Sequence, residues 1–193
     1  MSPILDSIGS VKAFGWGAFV AGGSYESIAS TTVGSGGSST ITFSSISADY
    51  THLQLRFIAR GNGSSYQYIS IRYNSDSGNN YADHFLQGDG SSASAGQVSG
   101  SSATRFDLSN ATGSATSTFG AGIIDILDYK NGNKYKTTRG LTGIDQNGSG
   151  GIALGSGLWM STSAITTIVI QVRGGTESFT QYSEFSLYGI RGS

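Results

Sequence analysis

The sequence predicts an all-β protein, a single antiparallel β-sandwich of jelly-roll-like type preceded by an extended N-terminal arm. Three observations lead to this fold class. Short segments alternate apolar and polar residues with a period of two, clusters of Gly, Asn, Asp and Ser separate these segments, and no window of helical length shows a clean apolar stripe. Alternation of this kind is typical of half-buried strands, and many short strands with frequent turns are typical of sandwiches and jelly rolls. The 193 residues suffice for one domain with a real hydrophobic core.

Alternation is clearest in four segments. In His52–Arg60 the apolar side chains lie on one face of the predicted strand, with Ile58 as the exception; they are Leu53, Leu55, Phe57 and Ala59. The other three clear segments are Tyr66–Tyr73, Ile165–Arg173 and Glu184–Arg191. Weaker patterns predict strands at Tyr25–Thr31, Ser39–Phe43, Tyr81–Leu86, Phe119–Tyr129, Tyr135–Gly143 and Gly151–Met160. The chain therefore carries about eight to ten predicted strands.

Turn-forming residues lie between these segments. The stretch "KNGNK" after Tyr129 contains an Asn-Gly pair, which is the strongest short signal for a β-hairpin. The long stretch "GDGSSASAGQVSGSSA" after Gln87 is rich in Ser and Gly and is expected to be a loop. The one boundary between segments falls near Gly22–Gly23, which separates an arm of residues 1–23 from a β domain of residues 24–193.

Composition excludes several classes of function. The net charge is −1, from 11 basic and 12 acidic residues, and no basic stripe exists to neutralise phosphates, so nucleic acid is not an expected partner. There is no polybasic run and no apolar stretch as long as a membrane helix, so a membrane is not an expected partner either. The absence of Cys excludes disulfides and thiolate metal sites, and it suits assembly in a reducing cytosol.

Residues that could carry chemistry are few. His52 and His84 are the only His residues, and no further ligands stand at a recognisable spacing, so we expect no metal and no cofactor. Asp125 and Asp128 resemble a glycosidase pair, but residues three apart in a strand face opposite sides. The sequence therefore predicts that the chain is not an enzyme.

One loop resembles half of a calcium-binding site. The segment Asp145–Gly150, "DQNGSG", has the oxygen donors and the Gly of the first half of an EF-hand loop, but Ser156 stands where the bidentate Glu would be. An ordinary Asn-Gly turn is the simpler interpretation.

Aromatic residues are the remaining functional material in the β domain. Tyr66, Tyr68, Tyr81 and Trp159 lie near loops rich in Asn, Asp and Ser. Aromatic faces next to planar polar side chains bind sugars, so these residues are candidates for a glycan-binding surface. Core and cross-strand packing is the alternative, because Tyr is common in sheets.

The stretch "AFGWGAFVAGG", Ala13–Gly23, is apolar but carries four glycines, which weaken both helices and strands. Apolar patches of this kind mark interaction sites. We expect residues 3–23 to dock on a neighbouring subunit or another protein, with four residues as anchors: Phe14, Trp16, Phe19 and Val20. The alternative is that the stretch folds back and closes one end of its own sandwich.

Five segments extend in order from Tyr25 to Gly192: "YESIAS", "TVGSGGSSTITFSSISADYTHLQLRFIARG", "IDILDYKNGNKYKTTRGLTG", "GSGLWMSTSAITTIVI" and "FSLYGIRG". Taken together, these segments resemble small β-rich structural proteins from the virions of tailed bacteriophages, of the type found in phages of cyanobacteria and marine bacteria. The family has no catalytic residues to carry over.

The resemblance implies a protein that is made in the cytoplasm of a bacterial host and resides on the virion. It also implies a homo-oligomer, most often a trimer, that contacts other virion proteins such as the major capsid protein. Two roles fit: a capsid decoration or cement protein anchored by its N-terminal arm, or a tail or head-fibre component whose loops bind host glycan.

Overall fold

A computed structural model describes residues 23–63, 67–107, 117–172 and 175–192. Within these ranges the chain forms twelve β-strands and no α-helix. The strands are β1 (Tyr25–Thr32), β2 (Thr40–Phe43), β3 (His52–Ala59), β4 (Tyr68–Tyr73), β5 (Tyr81–Gly88), β6 (Ala93–Ser101), β7 (Thr104–Asp107), β8 (Gly120–Leu127), β9 (Lys136–Asp145), β10 (Gly150–Trp159), β11 (Ile168–Val172) and β12 (Glu184–Ile190).

The strands form two antiparallel sheets that pack face to face. The larger sheet has the order β1-β12-β3-β8-β9-β10-β5-β6, and the smaller has the order β2-β11-β4-β7. The quartets β1-β12-β3-β8 and β2-β11-β4-β7 follow the strand order of a jelly roll, a double sheet built from two Greek keys. The hairpins β9–β10 and β5–β6 extend the larger sheet beyond the edge of the smaller one. The prediction of an all-β, jelly-roll-like sandwich is confirmed.

Alternation within the strands explains how the core forms. The apolar side chains at alternate positions of β3 are buried, whereas Ile58, the exception in the sequence pattern, is exposed on the opposite face. Phe185 on β12 lies beside Phe57 on β3, and Phe179 meets Phe185 edge to face with ring centroids 4.7 Å apart. Facing them, the smaller sheet contributes buried side chains from β4 and β11, namely Ile69, Ile71, Tyr73, Ile168, Ile170 and Val172.

The predicted strands all correspond to strands of the structure, which has two further strands, β6 and β7. The prediction of a loop in the Ser- and Gly-rich stretch after Gln87 is wrong, because Ala93–Ser101 is edge strand β6 and pairs with β5. The strand has little apolar alternation because it lies at the edge of the sheet, and at Gly96 the missing side chain leaves room for the ring of Phe85. The four-residue edge strand β7 is too short to show a period.

The segment Asp145–Gly150 forms the turn of the β9–β10 hairpin. Asn147 and Gly148 have φ values of 57° and 107°, the positive values that a two-residue type I′ turn requires. The Asp145 carboxylate accepts a hydrogen bond from the Asn147 amide at 2.8 Å. The interpretation as an ordinary Asn-Gly turn is confirmed.

Lys136 is a buried cation at the start of β9. Its Nζ donates to the carbonyl oxygens of Asn131, Lys134 and Thr162, at 2.6, 2.9 and 3.0 Å. Burial lowers the pKa of this amine. The side chain therefore joins the β8–β9 loop to the loop that follows β10.

Replacing Lys136 with Met should lower the free energy of unfolding by about 3 kcal/mol, because three carbonyl oxygens lose the charged donor that they share. The measurement is equilibrium unfolding in urea. Lys134→Met is the matched control, since Lys134 is exposed and its ion pair with Asp128 should be worth at most about 1 kcal/mol. Equal losses in the two variants would show that Lys136 does not fasten these loops.

Candidate functional site

The outer face of the larger sheet carries an exposed row of aliphatic side chains. Ile123 on β8 pairs with Leu141 on β9, Leu141 pairs with Leu154 on β10, and Leu154 pairs with Leu86 on β5. Directly paired residues on one face have their side chains about 5 Å apart, so the four form a continuous apolar row across four strands.

A second row runs parallel to the first, two residues further along each strand. Ile58 on β3 pairs with Ala121, Ala121 pairs with Gly143, and Gly143 pairs with Ile152. Because Ala121 and Gly143 have small or no side chains, a hollow of about 430 Å³ opens between the larger aliphatic residues. Ile123 and Leu141 form the wall of this hollow on the side of the first row.

We call the six large side chains of the two rows the apolar band: Ile58, Leu86, Ile123, Leu141, Ile152 and Leu154. Each is between 44% and 58% exposed. Together they leave on the order of 500 Å² of apolar surface in contact with water, which is near the upper end of the largest patch on a typical monomeric protein. The largest apolar patch on a monomer is often functional, so the band is the candidate functional site.

A polar row lies beside the band and contains one of the two predicted acidic candidates. The Asp125 carboxylate accepts hydrogen bonds from Gln54 at 2.8 Å and from Arg139 at 3.2 Å. Asp128 lies instead in the turn after β8, with φ of 48°, and pairs with Lys134 at 2.7 Å. The hydrogen bond from Lys134 lowers the pKa of Asp128. The two carboxylates thus have separate partners and do not face a common pocket.

The two His residues also lie apart. His52 Nδ1 accepts a hydrogen bond from the backbone amide of Asp128 at 2.9 Å. His84 lies on the outer face of β5, opposite Ser156 and Gln97. In the part of the chain that the structure describes, no three His, Cys, Asp or Glu side chains are grouped so that they could hold a metal ion.

Two of the residues predicted to form a glycan-binding surface belong to the core, so that prediction is wrong for Tyr81 and Trp159. Both are almost fully buried, and their rings stack with centroids 6.3 Å apart. The Tyr81 hydroxyl accepts from the Tyr73 amide at 3.0 Å, and the Trp159 indole donates to Asp76 at 2.7 Å. Each polar tip is satisfied inside the protein, which is why an aromatic residue near a loop does not have to face solvent.

The other two residues of that prediction have different outcomes. Tyr66 lies outside the described residues. Tyr68 is partly buried and lines a cleft beside the edge strand β7. The predicted anchors of the N-terminal arm lie outside the described residues as well: Phe14, Trp16, Phe19 and Val20.

The Asp76 carboxylate is hydrogen-bonded to the core aromatic cluster through Trp159. Its carboxylate accepts from the Trp159 indole, from Asn80 and from the Gly78 amide, and these bonds lower its pKa below the ordinary 3.8. A lowered carboxyl pKa stabilises the fold fully above the unfolded-state pKa, and that stabilisation is lost as the pH falls through the folded-state pKa.

Replacing Asp76 with Asn should therefore destabilise the protein at neutral pH and cost progressively less as the pH falls below 3.8. Thermal unfolding of both proteins across this pH range measures the difference. A difference in stability that stays constant down to about pH 2 would contradict the role of the charged carboxylate.

Comparison with known proteins adds no relative. No protein-family model, curated protein or solved structure matches the chain. In the described ranges, no helix is both long and apolar enough to cross a membrane.

Proposed function

We propose that the chain is a non-enzymatic structural protein of a tailed-phage virion, a capsid decoration protein that self-associates through the apolar band. The single observation that carries this proposal is the exposed position of six large aliphatic side chains in two register-matched rows. A surface of this kind binds another apolar surface, and it offers no group for acid–base chemistry.

The proposed occupant of the band is a second copy of the chain. A stable interface buries about 800 Å² on each partner, so the band supplies more than half of the required area and the flanking polar residues supply the rest. The polar row beside the band includes Asp125 and Arg139, which neutralise each other within one subunit. With a net charge of −1 on the whole chain, two copies repel each other only weakly.

The fold and the resemblance support a role on the virion, without distinguishing decoration from other structural roles. Jelly rolls are common in viral capsid proteins, although lectins and enzymes use them too, so this support is an analogy of fold. The resemblance of the segments from Tyr25 to Gly192 to phage virion proteins supports the same role and a trimeric state. The N-terminal residues 1–23, with their aromatic anchors, are the proposed attachment to the capsid.

The virion role is tested by locating the protein in a phage that encodes it. Antibodies against the β domain should label purified, nuclease-treated particles. Quantitative mass spectrometry should count on the order of hundreds of copies per particle, because a decoration protein repeats with the symmetry of the capsid. A protein that stays in the soluble fraction of the lysate would overturn the virion role. A count of only a few copies would overturn decoration and favour a tail or fibre position.

A further inference from the structure

A cleft opens where the larger sheet extends beyond the smaller one. The smaller sheet ends at β7, whereas the larger continues past it through β5 to β6. The inner face of this overhang and the edge of β7 enclose a cavity of about 260 Å³. The cleft lies on the face of β5 opposite the apolar band, so it does not depend on the proposed assembly role.

The floor of the cleft is apolar and is shaped by glycines. A Cβ at Gly96 would lie 2.6 Å from the Phe85 ring, so the absence of a side chain lets that ring lie against β6. Gly155 likewise leaves room for the ring of Phe106, because a Cβ at Gly155 would lie 3.0 Å from that ring. Val98 on β6 completes this surface next to two aromatic rings.

The wall of the cleft is polar and is held in place by an ion pair. Arg105 on β7 reaches across the edge of the smaller sheet to Asp83 on β5, and both nitrogen–oxygen distances are 3.2 Å. The Asp83 side chain is only 4% exposed. The Arg105 guanidinium also lies over the ring of Tyr68, 5.4 Å from its centroid. Gln87 adds an amide to the same lining.

We propose that this cleft binds one neutral sugar unit. Its volume is just below the range of about 300–1,000 Å³ that holds drug-sized ligands, so a ligand the size of a monosaccharide fits. An apolar, aromatic floor suits the C–H face of a sugar ring, and the polar wall suits its hydroxyl groups. Because Asp83 and Arg105 cancel each other's charge, the lining gives no net attraction to an acidic or basic ligand.

A sugar site of this kind suits the second role that the resemblance implies, a tail or head-fibre component that binds host glycan. It replaces the surface predicted from the sequence, since Tyr68 is retained and the core residues Tyr81 and Trp159 are not part of it.

Saturation-transfer NMR on the full chain tests the proposal, with glucose, galactose, mannose and N-acetylglucosamine at millimolar concentration as probes and glucuronate as the acidic comparison. At least one neutral sugar should receive saturation, and it should bind more tightly than glucuronate. The absence of transfer to all four neutral sugars would overturn the proposal. Preferential binding of glucuronate would overturn the assignment to neutral ligands.

Two substitutions on β6 place the binding in the cleft. Val98→Trp fills the cavity from the partly exposed edge strand and should weaken binding about tenfold or more. Gln97→Trp is the matched control, because Gln97 is the neighbouring residue and lies on the opposite, outer face of the strand. The affinity of this variant for the sugar should stay within about twofold of that of the unchanged protein. Thermal unfolding of both variants checks that each is folded. Unchanged affinity in Val98→Trp would overturn the location.

Removing Arg105 or Asp83 would be a poorer test of the same site. Either change leaves a partner charge uncompensated in a partly buried position, so a loss of binding could follow from a loss of stability. Tyr68→Phe removes only the hydroxyl, which interacts with Arg105, and keeps the ring under the guanidinium. This variant should weaken sugar binding severalfold while the melting temperature changes little, because the Arg105–Asp83 ion pair remains. Full binding would remove the Tyr68 hydroxyl from the site.

Discussion

Replacing Leu141 with Asp will convert the self-associated protein into a monomer. Leu141 lies in the middle of the apolar band, between Ile123 and Leu154, and is about half exposed in the single chain. An unpaired carboxylate buried in an interface costs about 3 kcal/mol or more, which corresponds to a dissociation constant about 100-fold higher. Analytical ultracentrifugation over a range of micromolar concentrations measures this change.

Thr137→Asp is the matched control for this prediction. Thr137 is exposed on the same face of β9, four residues from Leu141, but it lies outside the band. Both substitutions place Asp in a strand and carry the same intrinsic cost. If both variants, or neither, become monomeric, the band is not the interface.

Deletion of residues 1–23 will leave the β domain folded but will abolish its incorporation into the particle. The deleted stretch carries the aromatic anchors predicted from the sequence, and each anchor at an interface is worth about 2 kcal/mol or more. A milder variant replaces Phe14, Trp16 and Phe19 with Ala and keeps the length of the arm. Complementation of a phage that lacks the gene, followed by blotting of purified particles, measures incorporation.

The two possible failures of this prediction have different meanings. If the shortened protein enters particles normally, the arm is not the attachment. If it loses the β-sheet circular dichroism of the whole chain, the stretch closes the protein's own sandwich, which is the alternative that the sequence leaves open.

Much of the fold was predictable because one face of most strands is buried. A buried face forces an apolar side chain at every second position, and β3, β4 and β12 show this pattern clearly. The edge strand β6 was not predictable, since an edge strand with small residues buries little and therefore resembles a loop. The two hairpins that widen the larger sheet depend on pairing between distant segments, which periodicity does not contain.

The candidate site was less predictable than the fold. Ile123, Leu141 and Leu154 stand out of phase with the buried residues of their own strands, and each looks like an isolated exception. Only the register of β8, β9 and β10 brings them into one row. The opposite holds for Trp159, whose neighbouring polar residues in the sequence indicate a surface. Its indole instead donates a hydrogen bond to Asp76, which is distant in the chain.

A single-cysteine crosslinking measurement tests the claim that the band is the interface between subunits most directly, because the chain has no Cys of its own. Leu154→Cys places a thiol in the band, and Thr42→Cys places one on the exposed outer face of the smaller sheet. With a short bismaleimide, the proposed assembly predicts efficient crosslinking between copies through position 154 and little through position 42. Crosslinking through position 42 alone, or through neither position in a protein that still sediments as an oligomer, would contradict it.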